Sequence, residues 1–546
     1  MRSKWVISLI MVSAAALVAA IINQRPANAQ SASPIANFGP SIQAAATISA
    51  APGVERASET IAANAALAPS GAMPAVLSLT PLPTMPADRY AALKAAANAA
   101  AGLPKAPAVA APLNAPVISG GINFPGARQG VVGTSAFPSD DDMDVSGSQV
   151  VQLTNSSMWV FSKTGTVLLQ TSLNSLFGTG HFVGDVQVLF DSTWHRWVVM
   201  SDDFTSSSLW LAISKTSSAV SGGWYIYHFT GANFGAPNIL DYPHMGMDQD
   251  AILFTGNVFD DTDVYIDTDV FAIPKARLYN GLGFSVPVFE LGLIGTIMPP
   301  IQLGKPFYGH FPVDYFAVAA SGVGLSLYAM VDASTSPIMS GASTIASTTF
   351  AIPPNAVQPG CPNDLDTLDG RFQNACYQVP PFSSFSDGLL YCVHTVGSGP
   401  FPVPVWMAFD PSGPSIAKSG DFFLSFTSDD FNPAIAADAL GDIFVTETAT
   451  DTTGSKKPMV LFGGALAAPN PVVALNATPA ASSSVCLSGN SVPANSSPQR
   501  WGDYSAARFD PATSFSGTPG QVIGWITNQK VAGANNWGTK ITKISQ

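Results

Sequence analysis

One short pattern recurs along this chain and constrains its fold more than any other feature. Each copy has a polar start, a short run of small or apolar residues, an Asp at a similar offset and then a second apolar run. The four copies are Gly184-Asp-Val-Gln-Val-Leu-Phe-Asp191, Asp241-Tyr-Pro-His-Met-Gly-Met-Asp248, Phe431-Asn-Pro-Ala-Ile-Ala-Ala-Asp438 and Arg500-Trp-Gly-Asp-Tyr-Ser-Ala-Ala-Arg-Phe-Asp510. The pattern indicates a strand, an Asp turn and a second strand. Repetition of such a unit at tens of residues predicts an array or a β-propeller.

The first 29 residues have the features of a signal peptide. Arg2 and Lys4 precede an apolar run from Trp5 to Ile22, and Ala27-Asn-Ala29 has the small-x-small form of a cleavage site. We therefore predict a secreted, periplasmic or cell-surface protein whose signal peptide covers residues 1–29. An uncleaved membrane anchor is the alternative, because the run is just long enough to span a bilayer. No membrane span is expected after the signal is removed.

The composition favours a turn-rich, all-β protein. Charged residues make up only 11% of the chain, which contains 47 Gly and 44 Pro, so long exposed helices are not expected. The formal net charge of -13 argues against nucleic acid or an anionic membrane as a partner, because both repel an acidic surface. A neutral or cationic ligand, or calcium, fits this charge balance better.

Residues 30–121 are predicted to be a flexible lead before the folded part. They are rich in Ala, Pro and Ser and almost free of aromatic residues, so they bury too little apolar surface to offset the entropy of ordering. Within them, residues 88–101 have high helix propensity and are predicted to form one short helix. A spacer role is favoured over a binding role.

Residues 122–546 are predicted to form a seven-bladed β-propeller, with six or eight blades as alternatives. Short aromatic and β-branched runs are broken by Gly, Pro, Asp and Ser throughout this region. The runs group into seven units of about four strands, and a closed propeller protects its strand edges. The last unit has only three clear strands, so the segment from Ile122 to Gly126 is expected to complete it. We expect a monomer.

Several motifs carry a resemblance to a known family. They are Gly184-Asp-Val-Gln-Val-Leu-Phe-Asp191 before Arg196-Trp197, Asp241-Tyr-Pro243, Leu365-Asp-Thr-Leu-Asp-Gly-Arg371, Arg500-Trp-Gly-Asp-Tyr-Ser505 and Asn536-Trp-Gly-Thr-Lys-Ile541. From about Ala127 to its end, the chain resembles secreted bacterial proteins of the sialidase-like β-propeller superfamily, a largely uncharacterised group. The resemblance implies a propeller. The chain has no clean copy of the Ser-x-Asp-x-Gly-x-Thr-Trp turn of true sialidases, and no three-arginine carboxylate clamp can be assigned.

The candidate site is the central mouth of the propeller. The start of the innermost strand of a blade and the end of its neighbouring strand lie on one face of the disc, and we expect these ends to surround the axis. The Asp turns lie on the other face and are interpreted as structural. The candidate catalytic residues are Asp503, Asp185 and Glu447. The candidate ligand-binding residues are Arg371, Arg500, Tyr504, Tyr242, Asp241, Asp203 and His394.

Two functions follow from such a mouth, and the sequence leaves open whether the protein is an enzyme. The first is recognition of an extracellular ligand, foremost a glycan, in a non-catalytic binding or surface-scaffold role. The alternative is a sialidase-superfamily glycan hydrolase or lyase, in which paired carboxyls act as acid and base. The polar ends of the strands could also simply solvate the mouth. Because like charges raise one another's pKa, a ring of carboxylates requires a neutralising partner.

Calcium is the one ion that the sequence suggests. Asp260, Asp261 and Asp263 are candidate ligands in an Asp-rich segment, and Ser139-Asp-Asp-Asp-Met-Asp144 is a second such segment. A solvated loop is the alternative for each, because neither matches an EF-hand. There is no His-Glu-x-x-His, no Gly-x-Ser-x-Gly and no P-loop. Zinc, serine-triad and nucleotide chemistry are therefore unsupported.

The four cysteines of an exported chain are expected to form disulfides. Cys376 and Cys392 lie on two runs that are related by a hairpin centred on Ser384, so an antiparallel register places them directly opposite each other. Cys361 and Cys486 then remain, both in long segments before strand starts. We predict bridges Cys376 to Cys392 and Cys361 to Cys486.

Overall fold

The structure is a computed structural model. It describes residues 35–67, 82–101, 119–131, 136–231, 233–303, 313–321, 323–346, 349–379, 388–438, 441–465, 474–489, 496–511, 523–533 and 536–545. The signal peptide predicted over residues 1–29 lies outside these ranges, as does nearly all of the first of two compact units, residues 1–36. Among the described residues, no helix is long and apolar enough to cross a membrane.

The protein is all-β, as its composition predicts, and four short helices interrupt the strands. The elements before the first predicted blade are β1 (Gly39–Ile42), β2 (Ala46–Ala50), β3 (Val54–Arg56), α1 (Ser58–Leu67), α2 (Ala87–Ala101) and β4 (Ser119–Arg128). The next elements are β5 (Asp142–Val145), β6 (Gln149–Thr154), β7 (Ser157–Ser162), β8 (Val167–Ser172), α3 (Leu173–Phe177), β9 (Gly184–Asp191), β10 (Arg196–Asp203), β11 (Ser208–Ser214) and β12 (Trp224–Phe229).

The middle and the C-terminal part continue in the same way. The middle elements are β13 (Ile239–Met247), β14 (Ala251–Phe259), β15 (Tyr265–Pro274), α4 (Lys275–Leu278), β16 (Phe284–Glu290), β17 (Ile297–Met298), β18 (Pro300–Ile301), β19 (Val313–Ala320), β20 (Gly324–Val331), β21 (Ile338–Gly341) and β22 (Ser343–Ile345). The last elements are β23 (Cys376–Val379), β24 (Leu389–Ser398), β25 (Phe401–Asp410), β26 (Ser415–Phe423), β27 (Ser428–Ala437), β28 (Ile443–Asp451), β29 (Lys456–Ala465), β30 (Ala474–Asn476), β31 (Thr478–Ser482), β32 (Ala506–Phe509), β33 (Ile523–Gly533) and β34 (Asn536–Ser545).

Neighbouring strands pair antiparallel in seven groups within the described part of the chain. The groups are β5 to β8, β9 to β12, β13 to β16, β19 to β22, β23 to β26, β27 to β29 with β31, and β32 to β34 with β4. In most of the groups the strands pair in sequence order, as in a meander, which is the arrangement of a propeller blade; in the group β19 to β22, both β21 and β22 pair with β20. The closed seven-bladed ring itself stays a prediction.

Strand β4 completes the last group, as the sequence predicts for the segment from Ile122 to Gly126. Phe124 of β4 lies opposite Ile541 of β34, and Asn123 lies opposite Thr542. The pairing joins the N-terminal end of the folded region to its C-terminal strand. Backbone hydrogen bonds between these distant segments close an edge that would otherwise be exposed.

Strand β18 joins two of the groups into one sheet of eleven strands. Met247 of β13 and Tyr377 of β23 both pair in parallel with Ile301 of β18. The two strands β13 and β23 are the first strands of their groups. The short segment Pro300–Ile301 therefore connects these groups through hydrogen bonds at their inner edge.

The structure differs from the expectation of a flexible lead over residues 30–121. Strands β1, β2 and β3 pair antiparallel with β21, β16 and β12, which are outer strands of three groups. The helix α2 lies where the sequence predicts one. The composition predicts only how much apolar side-chain area can be buried. A sheet edge, however, offers backbone hydrogen-bond donors and acceptors to any extended segment. Small residues are therefore sufficient for these edge strands.

Apolar side chains pack between neighbouring groups. One cluster combines Val151 and Leu153 of β6 with Val186 and Val188 of β9, and all four are fully buried. Alternate residues of a strand face opposite sides of its sheet, so each group presents one apolar set to each neighbour. The core therefore lies between the groups.

Asp residues form the turns that the sequence predicts. Oδ1 of Asp191 accepts hydrogen bonds from the backbone N–H groups of Thr193 and Trp194, at 2.9 and 3.0 Å. Oδ1 of Asp438 accepts one from the N–H group of Asp442 at 2.9 Å. Asp510 differs, because its carboxylate accepts from Trp525 Nε1 and binds Lys163. These residues lie in the turns between strands and not in the mouth.

Both disulfides have the predicted connectivity. Cys376 and Cys392 are bonded, with a Cα–Cα distance of 4.5 Å, and the adjacent pair Tyr377 and Tyr391 lies in register across β23 and β24. Cys361 and Cys486 form the second bridge, with a Cα–Cα distance of 5.8 Å. The antiparallel register inferred from the spacing is confirmed.

Candidate functional site

Unusual backbone angles occur at polar residues near the starts of three strands. Asp185, Tyr242 and Asn432 lie in β9, β13 and β27, and their φ angles are 45°, 53° and 51°. The pairing with the next strand is irregular beside each of them. A bulge with a left-handed residue bends a strand and re-aims its side chains, at a cost of about 1–3 kcal/mol for a non-glycine residue. The repeated polar start in the sequence corresponds to this feature.

Asparagine side chains link strands of different groups around this region. Asn155 Oδ1 accepts a hydrogen bond from the N–H group of Asp185 at 2.8 Å. Asn374 Oδ1 accepts one from the N–H group of Ser505 at 2.7 Å, and its Nδ2 donates to Ser505 Oγ at 3.1 Å. Amide side chains satisfy both a donor and an acceptor, so they hold the strand starts in fixed positions.

Charged and aromatic side chains form a set at these strand starts that we call the mouth cluster. Each member other than Asp241 is at most 7% exposed. The mouth cluster consists of Arg371, Arg500, Asp140, Asp185, Asp202, Asp241, Asp366, Asp369, Asp503, Tyr242 and Tyr504. Seven of the candidate residues are therefore brought together: Asp503, Asp185, Arg371, Arg500, Tyr504, Tyr242 and Asp241.

Arg500 is the first centre of charge in the mouth cluster. Its Nη2 donates to both carboxylate oxygens of Asp503, at 2.9 and 2.8 Å, and its Nη1 donates to Asp366 Oδ2 at 3.3 Å. The N–H group of Asp503 donates to Asp140 Oδ1 at 2.7 Å. The carboxylate partners of Arg500 are thus two side chains of this protein, Asp503 and Asp366.

Arg371 is the second centre of charge. Its Nε and Nη2 donate to Asp369 at 2.8 and 2.7 Å, and its Nη2 also donates to the carbonyl oxygen of Leu82 at 3.0 Å. Its guanidinium carbon lies 4.9 Å from the centre of the Tyr242 ring, a cation–π distance. Burial opposes ionisation of Asp369, yet the charge of Arg371 holds the pKa of Asp369 below its ordinary value. No acceptor among the described residues bonds Nη1 of Arg371.

Two tyrosine rings stack between the arginines and the remaining carboxyls. The ring centres of Tyr242 and Tyr504 are 5.1 Å apart, with an angle of 28° between their planes. Tyr504 Oη donates to Asp185 Oδ2 at 3.4 Å, and the N–H group of Tyr242 donates to the same oxygen at 3.3 Å. Burial, followed by the charge of Asp241, raises the pKa of Asp185 well above its ordinary value.

Protons and arginines together neutralise the acidic ring. Burial, with the charge of Asp503, raises the pKa of Asp241 to about 7 and that of Asp140 to about 7. Burial and the charge of Asp241 also raise the pKa of Asp202, whose Oδ2 has no hydrogen-bond partner among the described residues. Carboxyl groups that are protonated do not repel one another. Protonation therefore supplies part of the neutralisation that a ring of carboxylates requires.

Glu447 lies outside the mouth cluster, although the sequence places it in the candidate catalytic set. It is 1% exposed and interacts with Asp430. Thr448, the next residue of β28, donates from Oγ1 to Asn528 Oδ1 at 3.0 Å. Neighbouring residues of a strand face opposite sides of the sheet. Glu447 therefore faces the side opposite to Thr448 and Asn528.

Asp203 and His394 also have partners elsewhere. Asp203 Oδ2 lies 2.6 Å from His181 Nε2 and accepts a hydrogen bond from Trp210 Nε1 at 2.9 Å. Because successive residues alternate, Asp202 faces the mouth cluster and Asp203 does not. His394 is fully buried, its Nδ1 lies 2.8 Å from the carbonyl oxygen of Gly370, and burial lowers its pKa to about 4.

The candidate calcium ligands lie in the exposed hairpin between β14 and β15. Asp260 Oδ1 accepts hydrogen bonds from the N–H groups of Thr262 and Val264 at 2.9 and 3.0 Å, which is the pattern of a turn-forming Asp. No group of three or more His, Cys, Asp or Glu residues in the described part of the chain is placed to hold a metal ion. Asp260, Asp261 and Asp263 therefore do not fit a calcium site in this arrangement.

The other Asp-rich segment is neither a solvated loop nor an ion site in this structure. Residues Asp140, Asp141 and Asp142 are at most 2% exposed, and β5 begins at Asp142. Asp142 Oδ1 accepts a hydrogen bond from Arg508 Nη2 at 2.8 Å. The partner is distant in sequence, which is why the segment could not be recognised as buried from its composition.

Sequence reasoning missed the residues that α2 and the chain before it contribute. Lys94 of α2 is 9% exposed and lies 3.7 Å from Asp366 Oδ1. Burial and the charges of Asp366 and Asp369 raise the pKa of Tyr90, so its side chain lies close to the mouth cluster. An Ala-rich helix in a segment of low complexity gives no signal for such contacts.

A cavity of about 1040 Å³ lies beside Arg371. Arg371 and Asp369 line it together with the rings of three tyrosines. These tyrosines are Tyr90, Tyr265 and Tyr328. Val323 and Leu293 also line the cavity and are 73% and 71% exposed, so they mark its outer rim. The cavity combines aromatic faces, apolar walls and one arginine with an unused donor, which suits a small-molecule ligand.

Comparisons with known proteins give no family for this chain. No protein-family model matches it, and no curated protein sequence is similar to it.

Several solved structures are similar to part of this chain, at low sequence identity and low TM-score. A subtype N10 neuraminidase-like protein of A/little yellow-shouldered bat/Guatemala has 9% sequence identity and a TM-score of 0.34, over 60% of this chain and 94% of its own. The WD40 domain of SCAP from fission yeast has 10% identity and a TM-score of 0.31, over 78% and 97%. An exo-β-1,3-galactanase from Phanerochaete chrysosporium has 9% identity and a TM-score of 0.28, over 59% and 76%. At such low TM-scores, neither the fold nor the activity of this chain follows from them.

Proposed function

We propose that this protein is a secreted seven-bladed β-propeller that binds an uncharged extracellular ligand, foremost a glycan, in the cavity beside Arg371. The observation that carries the proposal is the cavity itself, which is lined by three tyrosines and by Arg371, whose Nη1 has no acceptor among the described residues. Aromatic faces and a few fixed polar groups are the means by which sites hold a ligand and set its orientation. The two disulfides suit an extracellular compartment.

The charges around the cavity favour an uncharged ligand. Three cations, Lys94, Arg371 and Arg500, meet three carboxylates, and Asp241 and Asp140 have pKa values of about 7. The three carboxylates are Asp366, Asp369 and Asp503. Because the cations and carboxylates balance, no net positive charge is left to attract an anion.

The arrangement of carboxyls favours binding over hydrolysis. Glycoside hydrolysis in most families uses two carboxyl groups on either side of the bond. The acidic residues that line the cavity are Asp369, which Arg371 binds, and the exposed Asp263. The remaining carboxyls of the mouth cluster do not line the cavity. A non-catalytic binding role, with a surface scaffold as one form of it, fits this arrangement best.

A glycan hydrolase or lyase is the second candidate, and one observation favours it. Burial, followed by the charge of Asp503, raises the pKa of Asp241 to about 7, which is in the range that a general acid requires at neutral pH. This chemistry requires that the mouth cluster become accessible to a substrate.

A glycan array and a screen for reducing-sugar release test the two candidates together. The informative variant is Val323→Asp, which places a charge at the exposed rim of the cavity, and its matched control is Val54→Asp, at a residue that is 71% exposed in β3. We expect the purified chain to bind a neutral glycan, Val323→Asp to weaken binding and Val54→Asp to leave it unchanged. Equal binding by both variants would contradict the cavity as the site, and release of reducing sugar would replace the binding role with hydrolysis.

A further inference from the structure

Residues 82–101 lie over the mouth cluster and contribute one wall of the cavity. The carbonyl oxygen of Leu82 accepts a hydrogen bond from Arg371 Nη2 at 3.0 Å. Tyr90 lines the cavity beside Arg371 and Asp369. The mouth cluster is buried in part because this segment, which precedes the predicted propeller in sequence, covers it.

The ammonium group of Lys94 occupies a socket in the folded region. Its Nζ donates to the carbonyl oxygens of Pro353 and Leu368, at 3.0 and 2.8 Å, and to Thr367 Oγ1 at 2.8 Å. Asp366 Oδ1 lies 3.7 Å away and supplies the opposite charge. Three acceptors and one carboxylate match the three donors and the single charge of a primary ammonium group.

The socket is held in place by contacts that do not involve Lys94. Thr367 Oγ1 donates to the carbonyl oxygen of Pro354 at 2.9 Å, which leaves its lone pairs directed toward an external donor. Asp366 Oδ1 accepts from the N–H group of Thr367 at 2.9 Å, and the N–H group of Asp366 donates to the carbonyl oxygen of Gln499. A site built in this way is preorganised for its ligand.

Apart from Lys94 and Tyr90, α2 contributes few packed side chains. Lys94 is its single buried residue, Tyr90 is partly buried beside the cavity, and most of its other residues are alanine. Asn98 Oδ1 accepts one further hydrogen bond, from the N–H group of Asn355 at 2.8 Å. Alanine side chains bury little apolar area, so most of the attachment depends on polar contacts. Loss of the Lys94 contacts therefore releases the segment more readily than it unfolds the sheets.

We propose that residues 82–101 are an intramolecular ligand of the mouth, and that the socket at Asp366 is a binding site for a primary ammonium group at the end of an unbranched chain. In this structure Lys94 occupies the socket. The ligand class in trans is a peptide segment that presents a lysine, and it competes with residues 82–101 for the same contacts. The proposal does not depend on the binding of a glycan in the cavity.

Hydrogen–deuterium exchange on the full chain tests the intramolecular part. The variant is Lys94→Met, which keeps the length of the side chain and removes the ammonium group, and the control is Arg89→Met, which removes an exposed charge from the same helix. We expect exchange in residues 82–101 to rise by about tenfold or more in Lys94→Met, because the variant loses the hydrogen bonds of a charged group. The control and the strands are expected to exchange at wild-type rates.

A synthetic peptide of residues 82–101 tests the ligand class. We expect this peptide to bind the full chain that carries Lys94→Met. A second peptide, in which the same lysine is replaced by methionine, is expected to bind that chain at least about tenfold more weakly. Equal binding by the two peptides, or unchanged exchange in the variant chain, would overturn the proposal. Loss of the near-ultraviolet circular dichroism signal in Lys94→Met would make Lys94 a residue of the folded core and would overturn it as well.

Discussion

The guanidinium carbon of Arg371 lies 4.9 Å from the ring centre of Tyr242; Tyr242 lies in β13, whereas Arg371 lies in the segment before β23. The arginine is also held by Asp369 through two hydrogen bonds of 2.8 and 2.7 Å. One side chain thus joins an ion pair, an aromatic ring and the segment that covers the mouth. Arg371 is therefore a structural residue as well as a candidate for ligand binding.

The first prediction concerns this arginine. Arg371→Ala leaves Asp369 buried without its partner, so we expect the free energy of unfolding to fall by about 3–5 kcal/mol. Arg371→Lys keeps the charge but loses the two parallel hydrogen bonds, and we expect a loss of about 1–3 kcal/mol. Urea unfolding measures both values.

The control for Arg371 is Arg277→Ala, at an exposed position where Nε donates to the carbonyl oxygen of Gly283. We expect this variant to stay within about 0.5 kcal/mol of the wild type. Similar losses for Arg277 and Arg371 would show that the buried ion pair contributes no more than an exposed contact.

The second prediction concerns the pH dependence of stability at the buried pair of Asp430 and Glu447. Burial raises the pKa of Asp430 to about 8, and burial with the charge of Asp430 raises the pKa of Glu447 well above its ordinary value. The folded state then binds more protons than the unfolded state between the ordinary and the raised values. Stability is therefore complete below about pH 4 and falls as the pH rises toward 8.

The variant Glu447→Gln keeps the shape of the side chain and cannot lose a proton. At pH 8 we expect its free energy of unfolding to exceed that of the wild type by at least about 1 kcal/mol. At pH 4 the two values are expected to be equal. Glu59→Gln, at an exposed position of α1, is the control and is expected to match the wild type at both values. An identical pH dependence in the Glu447 variant would show that folding does not raise the pKa of Glu447.

The third prediction compares the two disulfides. The bridge between Cys361 and Cys486 has a sequence separation of 125 residues, whereas Cys376 and Cys392 are separated by 16. In the chain-entropy model, the first bridge stabilises by about 5 kcal/mol and the second by about 3 kcal/mol. Replacing each pair by serine and measuring thermal unfolding gives the comparison. A larger loss for the shorter loop would contradict the model, and peptide mapping without reduction checks the connectivity.

The fourth prediction concerns the hairpin of Asp260. Its carboxylate accepts hydrogen bonds from the turn, and these lower its pKa, Thr262 contributing most. We therefore expect Asp260→Ala to lower the melting temperature slightly and by the same amount with and without excess chelator. A chelator effect in the wild type that disappears in Asp260→Ala would instead restore calcium to this loop.

Much of the candidate site could be predicted from the sequence, because strand geometry converts spacing into position. Asp185, Tyr242 and Asp503 follow the repeated pattern, and all three lie in the mouth cluster. The structure places two other candidates, Glu447 and Asp203, outside the mouth cluster, and for these the position depends on the side of a strand. Glu447 and Asp203 are each next to a residue that faces inward, and alternation directs them away.

The sequence by itself determined the strand-rich fold, the repeated polar strand starts, the role of β4 and the cysteine pairing. Each of these depends on local spacing or on the register of a hairpin. Only the tertiary structure decided the partners of Arg371, Arg500 and Lys94, and the covering of the mouth by residues 82–101. These contacts join segments that are distant in sequence, and polar pairs of this kind depend on distances of a few ångströms that no local pattern encodes.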